Sequence, residues 1–158
     1  MNTGSLSVKG RALRYLAQRE HSRAELERKL ARHVEDSAEA TAAAQIAAAL
    51  DALAAHGLIS EARVAESVLA SQAPRLGARR LKQTLQAKGL EPALVAFTLK
   101  QVRSTELERA REVWRRRFGS PPADASERAR QMRFLAGRGF EGDVIRQVVQ
   151  GQEDDGGL

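Results

Sequence analysis

Leu53-Ala54-Ala55-His56-Gly57-Leu58, Leu85-Gln86-Ala87-Lys88-Gly89-Leu90 and Leu135-Ala136-Gly137-Arg138-Gly139-Phe140 are three versions of one six-residue phrase. Each runs from a Leu through two small or polar residues to a basic residue, a Gly and an apolar residue. That order describes the end of a helix. The cation faces the negative end of the helix dipole, the Gly takes a left-handed turn, and the apolar residue folds back onto the last turn. Soon after each copy a new apolar stripe begins, around Val64, Leu94-Val95 and Val144-Ile145. A fourth, degenerate copy, Leu16-Ala17-Gln18-Arg19, leads to Leu26 and lacks the Gly. Recurrence of a helix end followed by a helix start marks a repeat array. The chain therefore reads as all-α, with helix-turn-helix units in tandem.

Outward from these turns, nearly every segment carries helical spacing. Leu13, Leu16 and Ala17 form the stripe of a first helix. Ser22-Arg23-Ala24-Glu25 has the capping-box spacing, in which hydroxyl and carboxylate satisfy two free amides reciprocally, and Leu26, Leu30 and Val34 follow it. An Ala-rich helix after Asp36-Ser37 presents Ile46, Leu50 and Leu53. Further helices are expected over about 60–73, 77–88, 92–104, 105–118, 126–138 and 142–150. Pro92 suits a first helical turn, and Thr105 with Glu108 offers a second capping box. No segment alternates with the period of a strand.

The chain has 158 residues and few aromatics, one Trp, one Tyr and four Phe, so its core must come from Leu, Val and Ala. Ala-rich helices bury little area each, which favours an elongated array over a compact globule. No window approaches the roughly 18 apolar residues of a membrane span, and Arg14, Arg19 and Glu20 break up the N-terminal region before a signal-peptide core forms. A cytoplasmic protein without a membrane partner is the expectation.

The formal charge of +6 is unevenly spread. Residues 1–57 carry a net +1, residues 58–104 a net +5, residues 105–150 a net +3 and residues 151–158 a net −3. Between Glu66 and Glu91 no acid occurs, while Arg75, Arg79, Arg80, Lys82 and Lys88 all fall in that gap. On a helix from Gly77 to Lys88, Ala78, Leu81 and Leu85 share one face, which sends Arg79, Arg80 and Lys82 to the opposite side. Ordinary surfaces interleave signs, so this one is a candidate contact for a polyanion or an acidic protein face. Trp114-Arg115-Arg116-Arg117-Phe118 is a second candidate. Trp114 continues a stripe with Leu107, Ala110 and Phe118, whereas Arg115 and Arg116 leave it and extend the basic surface. Arg133 and Phe134 also leave their helix's stripe, with Phe134 either packed between helices or open to a partner.

Catalytic chemistry finds no foothold. Cysteine is absent, and His21, His33 and His56 stand apart from one another and from clustered acids, so no metal site is indicated. His56 reads as a helix C-cap and His21 as a turn residue. No phosphate-binding loop occurs, since Gly137 and Gly139 follow a helix, not a strand. No catalytic residue, metal or cofactor is assigned.

Five segments, in order, are similar to the RecX family of RecA regulators. They are His21-Ser22 with Glu25-Leu26 and Lys29-Leu30; Gly57 to Ala65; Gly77-Ala78-Arg79-Arg80-Leu81 leading to Lys88-Gly89-Leu90; Trp114 to Phe118; and Gln131 to Phe140 leading to Ile145. The resemblance spans residues 9–150, with departures at Gln83-Thr84 and in the apolar character of the Ala-rich helix. It implies three-helix repeats over 9–57, 58–104 and 105–150, flanked by a flexible 1–8 and a flexible acidic tail, 151–158. It also implies a protein that lodges in the groove of a RecA–DNA filament and dampens its ATPase, strand-exchange and co-protease activities in recombination and SOS repair. By that analogy Arg79, Arg80, Lys82 and Lys88 touch an acidic recombinase surface or DNA phosphates. From the residues alone, three roles stay open: filament regulator, direct non-specific DNA binder, and inert helical scaffold.

Overall fold

The structure, a computed structural model, describes residues 4–155. Among the described residues there are nine helices and no strand: α1 Val8–Gln18, α2 Arg23–Ala31, α3 Ala42–Ala55, α4 Glu61–Gln72, α5 Ala78–Ala87, α6 Pro92–Ser104, α7 Glu106–Arg117, α8 Ala125–Gly137 and α9 Gly142–Asp155. The all-α expectation holds. The chain divides into two compact units, the first made of the residues up to Ser67 with Ala87–Glu91, the second of Val68–Gln86 with the residues from Pro92 onward. Residues 1–3 and 156–158 of the expected flexible ends lie outside the described residues, and α9 continues to Asp155, past the expected end at 150.

In the first unit, α1, α2 and α3 close around Ala12, Leu26, Leu30, Ile46, Leu50 and Leu53, with Tyr15, Leu16 and Val34 packed against them. The face of α1 differs from the expected one: Ala12 is buried, while Leu13 is 39% exposed and Ala17 is exposed. The capping box forms as its spacing requires. Ser22 Oγ accepts from the Glu25 amide at 3.1 Å and Glu25 Oε1 accepts from the Ser22 amide at 3.2 Å. Ser22 Oγ also donates to the Lys88 carbonyl, so one hydroxyl serves the start of α2 and the turn after α5.

The three repeated turns adopt the conformation their glycines allow, with φ of 72° at Gly57, 70° at Gly89 and 88° at Gly139. After α3 and α8 the apolar residue donates back into the helix, Leu58 to Leu53 at 3.0 Å and Phe140 to Leu135 at 3.3 Å. Leu90 and Phe140 are buried, but Leu58 stays 42% exposed, so only two of the three copies bury that residue. The degenerate copy ends differently: Arg19 is extended, with φ −167°, a conformation open to any side chain, which is why no Gly is needed there. These turns support a comparison. An added Cβ meets nothing within 4 Å at Gly57 but lies 2.7 Å from Ala24 Cβ at Gly89. Gly57→Ala is expected to cost about 1 kcal/mol for the left-handed backbone alone, and Gly89→Val about 2 kcal/mol or more. Equal thermal midpoints for the two variants would show that crowding against α2 contributes nothing.

In the second unit, α7, α8 and α9 pack around Ala110, Trp114, Leu135, Phe140, Ile145, Val148 and Val149. Trp114 is in the core, as its stripe predicted, and its Nε1 donates to Gln131 Oε1 at 2.8 Å. Thr105 forms no capping box; its hydroxyl donates instead to the Val102 carbonyl and accepts from Arg109 Nε. The buried Glu106 carboxylate accepts from the Ala78 amide at 3.1 Å and from the Glu141 amide at 3.2 Å, placing one anion at the positive ends of both α5 and α9. Arg109 donates to the carbonyls of Ala73 and Leu76, in the connection after α4, and to that of Val102 in the last turn of α6. Burial lowers its pKa, and the nearby Glu106 partly opposes this.

Candidate functional site

Geometry sorts the eight candidate cations into engaged and available groups. Lys88 belongs to the first unit and is 19% exposed at its side chain, with Nζ 3.1 Å from Glu25 Oε1. Glu25 also meets Arg19 Nη2 at 2.6 Å. Burial pushes the Glu25 carboxyl up, but Arg19, the Ser22 amide and Lys88 outweigh it and hold it at about 2. Lys88 is thus a structural cation. His21, expected as a turn residue, does lie between α1 and α2, yet it is fully buried. Its Nδ1 sits 3.0 Å from the Arg19 carbonyl and its Nε2 2.8 Å from Lys29 Nζ, so the ammonium donates to Nε2 and the ring proton resides on Nδ1. Burial and the adjacent Arg19 and Lys29 lower the His21 pKa and keep the ring neutral.

On α5, Ala78, Leu81 and Leu85 are buried while Arg79, Arg80 and Lys82 are exposed, the division that the helical spacing predicted. Arg80 is nonetheless tied down. Its Nη1 donates to the Gly137 carbonyl at 2.9 Å, and its Cβ and Cγ pack where a Cβ on Gly139 would stand. Arg79 and Lys82 remain as the outward cations of that helix. Arg133 on α8 is exposed as well.

Two of the remaining candidates meet in one place. Arg75, just after α4, and Arg116, on α7, line a cleft of about 280 Å³ in the second unit. Pro74, Val113 and Phe134 give it an apolar surface, and Arg117 and Arg138 line it too. Arg116 is 80% exposed and pairs with Glu112 at 3.0 Å; Arg115 reaches the same carboxylate at 3.6 Å. Phe134, left open by the sequence, is half-buried, packed edge-on to Phe118 at 5.4 Å between centroids. Arg138 lies 5.2 Å and Arg117 5.5 Å from its ring centre. Arg117 falls inside the Trp114 to Phe118 candidate segment without being singled out there, and nothing local marks Arg138 as a cleft residue. Arg138 was absorbed by its role at a helix end, and the joining of a post-α4 turn to α7 and α8 is non-local.

The family model described as the first three-helix domain of RecX matches residues 9–53, and that described as the third three-helix domain of RecX matches residues 104–149. The chain belongs to the RecX family. Among its RecX relatives, the regulatory protein RecX of Leptothrix cholodnii is 56% identical over 149 residues, covering 94% of this chain and 91% of the relative. The regulatory protein RecX of Ralstonia nicotianae is 46% identical over 154 residues, covering 96% and 93%. The crystal structure of RecX from Lactobacillus salivarius superposes with a TM-score of 0.72 at 21% identity over 92% of this chain and 94% of that one. A crystal structure of a regulatory protein RecX gives 0.70 at 19% identity, over 91% of this chain and 71% of that one. At such identities the RecX crystal structures speak for the shared helical fold. Among the described residues no group of His, Asp and Glu is placed to hold a metal ion, and no helix is long and apolar enough to cross a membrane.

Proposed function

We propose that this protein regulates recombination by binding the RecA–DNA filament and lowering its ATPase, strand-exchange and co-protease activities in the cytoplasm. Membership of the RecX family over nearly the whole chain carries the reading. The contact surface proposed is cationic and belongs to the second unit: Arg79 and Lys82 on α5, Arg75 and Arg116 at the cleft, Arg115 on α7 and Arg133 on α8. The repeat organisation over 9–57, 58–104 and 105–150 is part of the same proposal. Arg80 and Lys88 drop to supporting roles: the Lys88 side chain is largely enclosed against Glu25, and the Arg80 stem packs at Gly139 while its guanidinium donates to the Gly137 carbonyl.

The test follows from that division. Arg79→Glu with Lys82→Glu reverses two outward charges and spares Arg80, whose loss would disturb the packing at Gly139. Half-inhibition of RecA's DNA-dependent ATPase is expected to need about tenfold more of the double variant, with helicity unchanged. Parent-like inhibition would remove α5 from the contact surface. Failure of the parent to sediment with RecA on single-stranded DNA, judged against RecA-free DNA, would remove the function itself.

The acid-free stretch from Arg75 to Lys88 also favours a second reading, direct non-specific DNA binding. Five phosphate contacts would give a log–log salt slope of about −3.5 on single strands and about −4.5 on duplex. Filament-directed binding gives a shallower slope.

A further inference from the structure

We infer that the cleft beside Phe134 is a docking site for an acidic peptide segment of a partner protein, anchored by one large apolar side chain. The inference gives the filament-directed role a partner chemistry, and it rests on that role only for who supplies the segment.

The cleft combines two features that suit such a segment. The open cleft, with Pro74, Val113 and Phe134 as its apolar part, has a volume of about 280 Å³, just under the roughly 300–1,000 Å³ of small-molecule sites and suited to a single side chain. Around it stand Arg75, Arg116, Arg117 and Arg138. Arg117 and Arg138 lie over the Phe134 ring, which restrains their guanidinium planes without using their N–H donors. No carboxylate among the described residues pairs with either. Guanidinium groups restrained in this way lose little further freedom on gripping a carboxylate in a bidentate manner.

A nucleic acid strand fits the same surface less well. Base stacking needs a bare aromatic face, but Phe134 is already met by Phe118 at its edge and by two guanidinium groups. Phe118 is likewise covered by Arg117 and Arg130. Glu112 also lines the cleft, and its carboxylate opposes a continuous run of phosphates while leaving room for carboxylates spaced along a peptide. A segment of Asp and Glu around one aromatic or long aliphatic residue matches both the charge and the apolar surface.

Fluorescence anisotropy with the full chain tests this with three labelled probes: an Asp/Glu peptide with one central phenylalanine, the same peptide with alanine there, and oligothymidine. The phenylalanine peptide is expected to bind about fivefold more tightly than the alanine peptide. Arg75→Glu with Arg116→Glu, both exposed, should weaken it about tenfold with helicity retained. Val113→Gln should weaken the phenylalanine peptide and leave the alanine peptide unchanged. The inference fails if the phenylalanine peptide does not bind, if both peptides bind equally, or if charge reversal weakens only oligothymidine. Peptide binding without filament co-sedimentation would overturn the filament role and keep the cleft; co-sedimentation without peptide binding would do the reverse.

Discussion

Gly77→Ala is expected to lower the thermal midpoint by roughly 6–12 °C, from a cost of about 3 kcal/mol. A Cβ at this position would lie 2.4 Å from the carbonyl carbon and oxygen of Gly139 and from Cα of Phe140. All three are backbone atoms, so no side chain can rotate away. The approach is held by the Gly77 amide donating to Arg138 at 2.8 Å and the Arg79 amide donating to Gly139 at 3.0 Å. Inserting a methyl group parts the start of α5 from the turn after α8 and strains both bonds. The Gly77 φ lies outside the left-handed range, so the whole effect is crowding. A midpoint within about 2 °C of the parent by circular dichroism would contradict this contact.

Glu25→Ala is the second large effect, again about 3 kcal/mol. The substitution removes the acceptor of Arg19 and Lys88 together with the reciprocal half of the α2 capping box. Lys88 is then left largely enclosed without its anion. Glu25→Gln, which keeps an acceptor for the Ser22 amide but loses the charge, is expected to cost less than Ala. Equal midpoints for parent and Glu25→Ala would show that the ion pairs merely offset their own desolvation.

The same carboxylate sets a pH limit. Its folded-state pKa, about 2, lies below the ordinary 4.5. Its stabilisation is therefore complete above pH 4.5 and is lost as pH falls toward 2. His21 acts in the same direction at higher pH. Its folded pKa is lowered from 6.5, so the unfolded chain takes up that proton first and stability begins to fall below pH 6.5. Protonation would also set an imidazolium 2.8 Å from the Lys29 ammonium. Midpoints measured from pH 7 to 3 should decline in two stages, and Glu25→Gln should flatten the lower one.

Much of the fold was legible because it is written in neighbouring residues. A capping box such as Ser22 to Glu25, or a Gly-ended turn such as Leu135 to Phe140, closes within six positions of the chain, and the structure forms both. The buried face of α5 followed from spacing for the same reason. Local rules also misfired where another contact competed. Thr105 and Glu108 have the capping-box spacing, but the Thr105 hydroxyl turns back to Val102 and forward to Arg109. On α1, Leu13 is spaced like a core residue, yet packing against α2 and α3 selects Ala12 and Leu16.

The sequence by itself determined the helices, most of their ends, the family and a cationic centre, since each depends on periodicity or on charges close along the chain. Only the tertiary structure decided which cations are available. Lys88 meets Glu25, 63 positions away, and Arg80 meets Gly137, 57 positions away. It also brought Arg75, Arg116, Arg117 and Arg138 to one cleft. Whether a guanidinium is a strut or a hand depends on acceptors that folding carries to it from remote parts of the chain, and no local pattern encodes that distance.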